Sequence, residues 1–336
     1  MKEPLLHKFV FSIIALCWLV HIVLVWQFRF VPSADYPEWL YQANVIAHYA
    51  DPEYNYAQWY DLVAAPVPNG GFVLPLVALL QFLGVELAGK IFLSLLLLIF
   101  PLSVKYYVRS VGNTSMIWLA AVLLLFNVSF LNGNFAFLSG CCLLLVAIGR
   151  SERTKGQFAL SHGIMTVFFS VTLFLAHAVC AFVFLCYLCL SIRNPLFVPK
   201  KTALLCLAVM AGLGLTYYLL RPPGDIANRF SWGFDLRYRA SALTKSFVGG
   251  IPFPPYEFSL MTTIGNALMF LFVAGIGAVA LKQLILHHAS PAAKLALLVV
   301  ALSLFSPKYV LGIGEPSQRF AFIGILLASG FFATRR

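Results

Sequence analysis

Long apolar runs follow one another along almost the whole chain, and only short polar connections separate them. Hydrophobic residues make up 61% of the 336 positions, and charged residues only 10%. Such a composition suits a bilayer, which accepts apolar helices because their backbone groups are hydrogen-bonded internally. The sequence therefore predicts an all-α, polytopic transmembrane helical bundle that forms a single domain over residues 1–336.

The basic residues indicate how this bundle is oriented. The formal net charge is +11, but the Lys and Arg residues lie mostly in short loops between apolar runs, where they mark the cytoplasmic side. This placement argues against nucleic acid as a partner and puts both termini in the cytoplasm. If every basic loop is inside, the chain needs about ten spans plus a half-span at residues 72–83, a segment too short to cross.

By the same reasoning, the polar segments at residues 29–71, 221–258 and 307–319 fall on the outer face. The first segment carries five acidic residues and no Lys or Arg after Arg29, which is unusual for a cytoplasmic loop. Its many Tyr and Trp side chains are typical of a membrane interface and would also suit a sugar-binding surface. We interpret this segment as one wall of a functional site.

Two short amphipathic helices are predicted in the first outer segment. Asp35 and Glu38 have the spacing of a capping box, and apolar residues follow them at helical intervals. Asp51 before Pro52 indicates a second helix start. We expect both helices to lie in the membrane interface. At Asp35, a purely structural role as a helix cap is the alternative to a chemical one.

Further polar residues collect on the predicted outer side. Asn132 and Asn134 lie in a turn between two apolar runs. His177 lies at the expected turn of an apolar hairpin, and Arg319 precedes the last span. Carboxylates that accept a proton and cations that hold a phosphate would share one membrane face, which suits group transfer from a phosphorylated lipid. The second outer segment supplies more cations, among them Arg221, Arg229 and Arg237.

The order of these features resembles the GT-C glycosyltransferases. One span is followed by an outer loop with an early acid (VPSADYPEWLYQANVIAHYADPEY) and by a Pro-containing apolar segment that ends in a Gly-x-Glu-x-Ala-x-Lys pattern (PNGGFVLPLVALLQFLGVELAGK). The stretch LNGNFAFLSG, a turn at LAHAV and a late SPKYVLGIGEPSQRF complete the series. As an arrangement, the resemblance covers about the whole chain.

The resemblance implies an integral-membrane enzyme of a bacterial inner (plasma) membrane. Such an enzyme transfers a sugar from a polyprenyl-phosphate carrier to an envelope glycan, lipid or protein acceptor on the extracytoplasmic face. Asp35 would match the family's first-loop acid, which acts as a base or orients the acceptor. Glu38 is the second catalytic candidate. The family commonly has two adjacent or nearly adjacent acids there, whereas Asp35 and Glu38 are three positions apart.

The remaining site candidates would bind the substrate or its phosphate and would not take part in bond formation. His177 would match a polar residue at a hairpin turn, and Arg319 a cation near the carrier phosphate, which Arg221, Arg229 and Arg237 would also contact. Additional candidates for substrate binding are Asn134, Trp39 and Tyr56.

No cofactor is expected. A divalent metal held by His48, Asp51 and His177 is a less favoured alternative, because no tight ligand spacing supports it. Two other functions stay open: a non-catalytic subunit or scaffold that works with a partner subunit in envelope polysaccharide assembly, and a lipid or small-molecule transporter.

Overall fold

The computed structural model describes residues 3–31, 33–62, 65–113, 118, 128–157, 160–220, 282, 290–307, 309–310, 313–314 and 316–331. Within these ranges the regular secondary structure is helical apart from one pair of two-residue strands, which confirms the all-α class.

The helices, in chain order, are α1 (Glu3–Gln27), α2 (Tyr36–Ala47), α3 (Gly70–Leu80), α4 (Val85–Ser110), α5 (Val128–Leu131), α6 (Phe135–Arg153), α7 (Leu160–Ala176), α8 (Ala178–Ile192), α9 (Lys200–Leu220), α10 (Pro291–Phe305) and α11 (Pro316–Ser329). One 3₁₀ turn, Tyr56–Gln58, lies between α2 and α3. Strands β1 (Tyr309–Val310) and β2 (Ile313–Gly314) pair antiparallel just before α11.

Helix α6 lies at the centre of the bundle. It packs against α3, α4, α7 and α8, and most of its side chains are buried. The aromatic residues Phe135 and Phe137 and the aliphatic residue Leu144 lie among them. Helices α10 and α11 pack closely on each other, and both contact α8. The start of α6 is therefore surrounded by other elements, and this position becomes important for the site.

Three of the described helices are long and apolar enough to cross a membrane: α4, α6 and α9. Helix α9 is the least enclosed of the three, and large apolar side chains such as Leu204, Leu215 and Leu219 are exposed along it. Apolar surface of this kind is expected to face lipid. These helices support membrane association, while the count of about ten spans and the sidedness stay predictions.

Two predicted interruptions of the apolar runs are confirmed. Helix α3 has 11 residues, so it covers about 16 Å and is shorter than the hydrocarbon core of a bilayer. His177 separates α7 from α8 with an extended backbone, and the two helices contact each other. The chain therefore turns at this histidine.

Two predictions for the first outer segment are wrong in detail. Asp35 occupies the N-cap position of α2, but its side chain makes no capping hydrogen bond. Asp51 does not start a helix, because its carboxylate accepts a hydrogen bond from the backbone N–H of Glu53 at 3.0 Å and closes a local turn. Between residues 33 and 62, which the structure describes, the segment contains one α-helix, α2, and not two, and the 3₁₀ turn Tyr56–Gln58 follows it.

Helix α2 is held in the bundle by its buried face. Tyr36, Leu40 and Ala43 are buried against α3 and α4, whereas Ile46, which the sequence pattern placed on the apolar stripe, is exposed. The Tyr36 ring reaches α4 at Gly89, where a Cβ atom would overlap the phenol oxygen. A glycine is therefore needed at this point of α4 for α2 to approach it.

We expect Gly89→Ala to destabilise the protein, because the added methyl group displaces Tyr36. Gly212→Ala in α9 is the matched control, since a Cβ there meets no neighbouring atom. Replacing glycine by alanine stabilises a helix by up to about 1 kcal/mol in both variants. Only Gly89→Ala also overpacks the structure, which costs about 1–3 kcal/mol. Unfolding in detergent is followed by circular dichroism. The stability of Gly89→Ala should be lower than that of the wild type, and the stability of Gly212→Ala should equal or exceed it. Equal stabilities would contradict the packing argument.

Candidate functional site

The segment that carries Asp35 is attached to the turn before α6. The Ser33 hydroxyl donates to the carbonyl of Phe130 at 2.9 Å, and the backbone N–H of Ala34 donates to the carbonyl of Leu131 at 2.9 Å. The N–H of Asp35 points to the carbonyl of Asn132 at 3.3 Å. These three hydrogen bonds join parts of the chain that are far apart in sequence and place Asp35 beside the start of α6.

Gly133 makes this attachment possible. Its φ angle is +79°, a left-handed conformation that glycine adopts without strain. A Cβ atom at Gly133 would lie 3.0 Å from the backbone nitrogens of both Asp35 and Tyr36. The turn therefore needs glycine for its own conformation and also for the close approach of the acidic segment.

Arg319 reaches the same region from α11. Its Nη1 lies 3.0 Å from Nε2 of His177, and its Nη2 donates to Oδ1 of Asn134 at 3.2 Å. The guanidinium carbon lies 5.8 Å from the centre of the Phe137 ring, within range of a cation–π interaction. The start of α6 and the turn at His177 thus hold one guanidinium group in place.

His177 lies between two hydrogen-bond donors. Its Nδ1 accepts from the backbone N–H of Val179 at 3.2 Å and caps α8, while Nε2 faces the Arg319 guanidinium. A neutral imidazole has one acceptor nitrogen, so it accepts from only one of these donors at a time. Burial and the positive charge of Arg319 lower the pKa of His177 well below its ordinary value, which favours this neutral form.

Asp35 and Arg319 line one cavity of about 250 Å³. The complete lining consists of Ala34, Asp35, Ser129, Asn132, Asn134, Gln318 and Arg319. Asp35 and Asn134 precede the first residues of α2 and α6, and Gln318 and Arg319 lie near the start of α11. Helix N-termini carry partial positive charge and unpaired N–H groups, so this convergence favours a bound anion.

The Asp35 carboxyl has neighbours of both signs. Partial burial raises its pKa above the ordinary aspartate value, and the negative charge of Glu38 raises it further. The guanidinium of Arg319 opposes both effects. Asp35 lines the cavity, and its carboxyl oxygens make no capping hydrogen bond to α2.

The other predicted site residues lie outside the cavity or outside the described residues. Glu38 is exposed and accepts a hydrogen bond from Gln42 at 3.2 Å. Trp39 is half-buried and does not line the cavity. The remaining predicted phosphate ligands, Arg221, Arg229 and Arg237, lie outside the described residues.

Tyr56 belongs to a separate aromatic cluster. Its ring stacks on Tyr54 at 5.4 Å between centres and meets Tyr41 and Tyr60 edge to face. Its hydroxyl accepts a hydrogen bond from Asn44 at 2.8 Å. These contacts form a surface cluster that is distinct from the cavity of Asp35 and Arg319.

The alternative metal site is not formed in the part of the chain that the structure describes. His48 and Asp51 are neighbours at 4.0 Å, but His177 belongs to the Arg319 cluster. Within the described ranges, no group of three His, Cys, Asp or Glu side chains has the geometry to hold a metal ion.

Two lining residues, Ser129 and Gln318, carried no sequence signal that distinguished them from other polar residues near a helix end. Gln318 directly precedes Arg319, so its position follows once α11 is seen to begin at Pro316. The sequence predicted a loop up to Arg319, whereas α11 begins at Pro316. The position of Gln318 could not be predicted without the start of this helix.

Comparison with known proteins finds no family model, no curated protein and no solved structure that matches the chain.

We expect Gly133→Ala to displace Asp35 from the cavity. The matched control is Gly112→Ala, because Gly112 has a φ of +87° but open space where its Cβ would lie. Both variants carry the cost of a left-handed alanine, of order 1 kcal/mol, and only Gly133→Ala also disturbs the paired segment. Thermal unfolding should therefore show a larger loss of stability for Gly133→Ala than for Gly112→Ala. Equal losses of stability would contradict the proposed role of the close approach between Gly133 and Asp35.

The charge of Arg319 should be measurable through the pKa of Asp35. In Arg319→Gln the positive charge that favours the carboxylate is lost, so the pKa of Asp35 should rise above its already raised wild-type position. Arg319→Lys keeps the charge and should produce a smaller shift. Infrared pH titration of the carboxyl band, with Asp35→Asn as the blank, measures both changes. A pKa that falls in Arg319→Gln would disprove the electrostatic link.

Proposed function

We propose that this chain is a membrane glycosyltransferase that moves a sugar from a polyprenyl-phosphate carrier to an acceptor hydroxyl. The observation that supports the proposal is the shared cavity of Asp35 and Arg319. The reaction needs a group that accepts a proton and a cation that receives a departing phosphate. These two groups come from opposite ends of the sequence, and folding brings them to one cavity.

In this proposal Asp35 is the general base. The acceptor hydroxyl attacks the anomeric carbon of the donor sugar, and its proton passes to the Asp35 carboxylate as the new C–O bond forms. A carboxyl whose pKa lies above the ordinary aspartate value is a stronger base than a fully solvated one. The attack is in line with the departing phosphate, so the configuration at the anomeric carbon inverts.

Arg319 would receive the leaving group. When the bond between the anomeric carbon and the carrier phosphate breaks, its electron pair stays on the phosphate oxygen, and negative charge grows there. A guanidinium and the nearby N-termini of α6 and α11 stabilise that charge. Asn134 and His177 are positioning residues in this scheme, because their hydrogen bonds orient Arg319.

The length of α6 is consistent with a site at a membrane surface. The helix begins beside the cavity and has 19 residues, of which Arg153 is the last. At 1.5 Å per residue this is about 28 Å, close to the thickness of the hydrocarbon core. The basic residues Arg150 and Arg153 at its far end favour the cytoplasmic side there, so the proposed site lies on the extracytoplasmic face.

A second candidate function is a non-catalytic subunit of the same kind of assembly system. The observation that favours it is the position of Glu38, which is exposed and bonded to Gln42 instead of accompanying Asp35 in the cavity. Among the described residues that line the cavity, Asp35 is the one acid. A protein that binds the carrier lipid without cleaving it would need the anion-binding part of the site alone.

Asp35→Asn should abolish transfer without unfolding the protein. Purified protein in lipid nanodiscs is incubated with radiolabelled undecaprenyl-phosphate-linked hexose and pentose donors, and release of undecaprenyl phosphate is measured. Loss of a general base lowers the rate by about 10²–10⁴-fold. Glu53→Gln is the matched control, because Glu53 is an exposed acid of the same outer segment that does not line the cavity.

Two results would argue against the proposed enzyme. If Asp35→Asn turns over at the wild-type rate, Asp35 is not the general base. Absence of donor cleavage by the wild type, combined with saturable binding of undecaprenyl phosphate that Arg319→Gln weakens, would favour the non-catalytic subunit.

A further inference from the structure

A second polar cavity lies at the other end of α6. Its volume is about 620 Å³, and it is bordered by the last turns of α4 and α6. Three cations line it, Lys105, Arg109 and Arg153, together with one carboxylate, Glu152. None of these residues takes part in the site at the start of α6.

The position of this cavity places it at the opposite membrane surface. Helix α6 starts at the first cavity and ends at the second, and its length of about 28 Å matches the hydrocarbon core. The second cavity therefore lies at the level of the lipid headgroups of the other leaflet. The clustering of cations there agrees with the predicted cytoplasmic side.

The charges of the cavity do not cancel. Three cations face one carboxylate, which leaves two positive charges on the side chains. The C-termini of α4 and α6 contribute partial negative charges of about −0.5 each. A net positive charge remains, which suits an anionic group such as a phosphodiester.

Glu152 is already engaged by the fold. Its Oε1 accepts hydrogen bonds from the Ser290 hydroxyl at 2.9 Å and from the backbone N–H of Ala292 at 3.3 Å, so it holds the start of α10. The three cations are less engaged by contacts within the protein. Within the described ranges none of the three forms an ion pair, and Lys105 is placed by the Trp118 ring at 4.7 Å.

The rim of the cavity is apolar on one side. Leu102 lines it, lies one turn before Lys105 on α4, and has 48% of its side chain exposed. Leu102 therefore points toward lipid while the cations lie at headgroup level. A ligand that satisfies both parts has a phosphate group and an acyl chain beside it.

We propose that the cavity between the C-terminal ends of α4 and α6 binds the phosphodiester headgroup of an anionic phospholipid in the cytoplasmic leaflet. Arg109 and Arg153 hold the phosphate oxygens, and Lys105 adds charge from its place on Trp118. The bound lipid ties the ends of the two helices together. This site is separate from the proposed transfer site, and its test does not depend on enzymatic activity.

The test is native mass spectrometry of the detergent-solubilised full chain, titrated separately with palmitoyl-oleoyl phosphatidylglycerol, palmitoyl-oleoyl phosphatidylcholine and glycerol 3-phosphate. The wild type should bind phosphatidylglycerol about tenfold or more tightly than phosphatidylcholine. Both lipids carry a phosphodiester that can accept charge-assisted hydrogen bonds, but the choline cation of phosphatidylcholine is repelled by the cations of the cavity. The double variant Arg109→Gln/Arg153→Gln should lose this preference. Glycerol 3-phosphate should bind weakly to both, because it lacks acyl chains.

The matched control is Lys200→Gln/Lys201→Gln, which removes two exposed cations that do not line the cavity. This variant should keep the preference for phosphatidylglycerol. Circular dichroism confirms that each variant is folded, and the exposed positions of Arg109 and Arg153 make folding of the double variant the expected result. The proposal is overturned if the double variant retains the preference, if the control loses it equally, or if glycerol 3-phosphate binds as tightly as the lipid.

Discussion

The hydrogen-bonded attachment of residues 33–35 to the turn before α6 determines where Asp35 lies. Without it, Asp35 would belong to a polar connection next to the membrane, with no fixed neighbour. With it, the carboxyl faces a cavity whose other charged residue arrives from α11, near the other end of the chain. Two main-chain hydrogen bonds, one hydrogen bond from the Ser33 hydroxyl and the close approach at Gly133 thus hold the acidic segment beside the start of α6.

Some of this arrangement could be predicted from the sequence, and the reasons are physical. Asp35, Asn134, His177 and Arg319 stood out because polar groups are costly near a membrane and persist where they have a partner. The break at His177 was visible because basic residues at both ends of one apolar stretch require a turn. All four residues lie around one site, because His177 and Asn134 contact Arg319, which lines the cavity together with Asp35.

The parts that could not be predicted depend on tertiary contacts. A capping box at Asp35 and Glu38 is a local pattern, and it failed because the Asp35 side chain faces the cavity instead of its own helix. The helix expected after Asp51 failed because a turn closed by the Asp51 carboxylate competes with it at little cost. Ser129 and Gln318 were missed because only the meeting of distant segments gives them a role.

His177 has two structural roles and one imidazole lone pair. Its Nδ1 accepts from the backbone N–H of Val179 and caps α8, and its Nε2 faces the Arg319 guanidinium beside the cavity. A neutral ring has a single acceptor nitrogen, so it accepts from only one of these two donors at a time. The first turn of α8 and the placement of Arg319 therefore compete for the same lone pair.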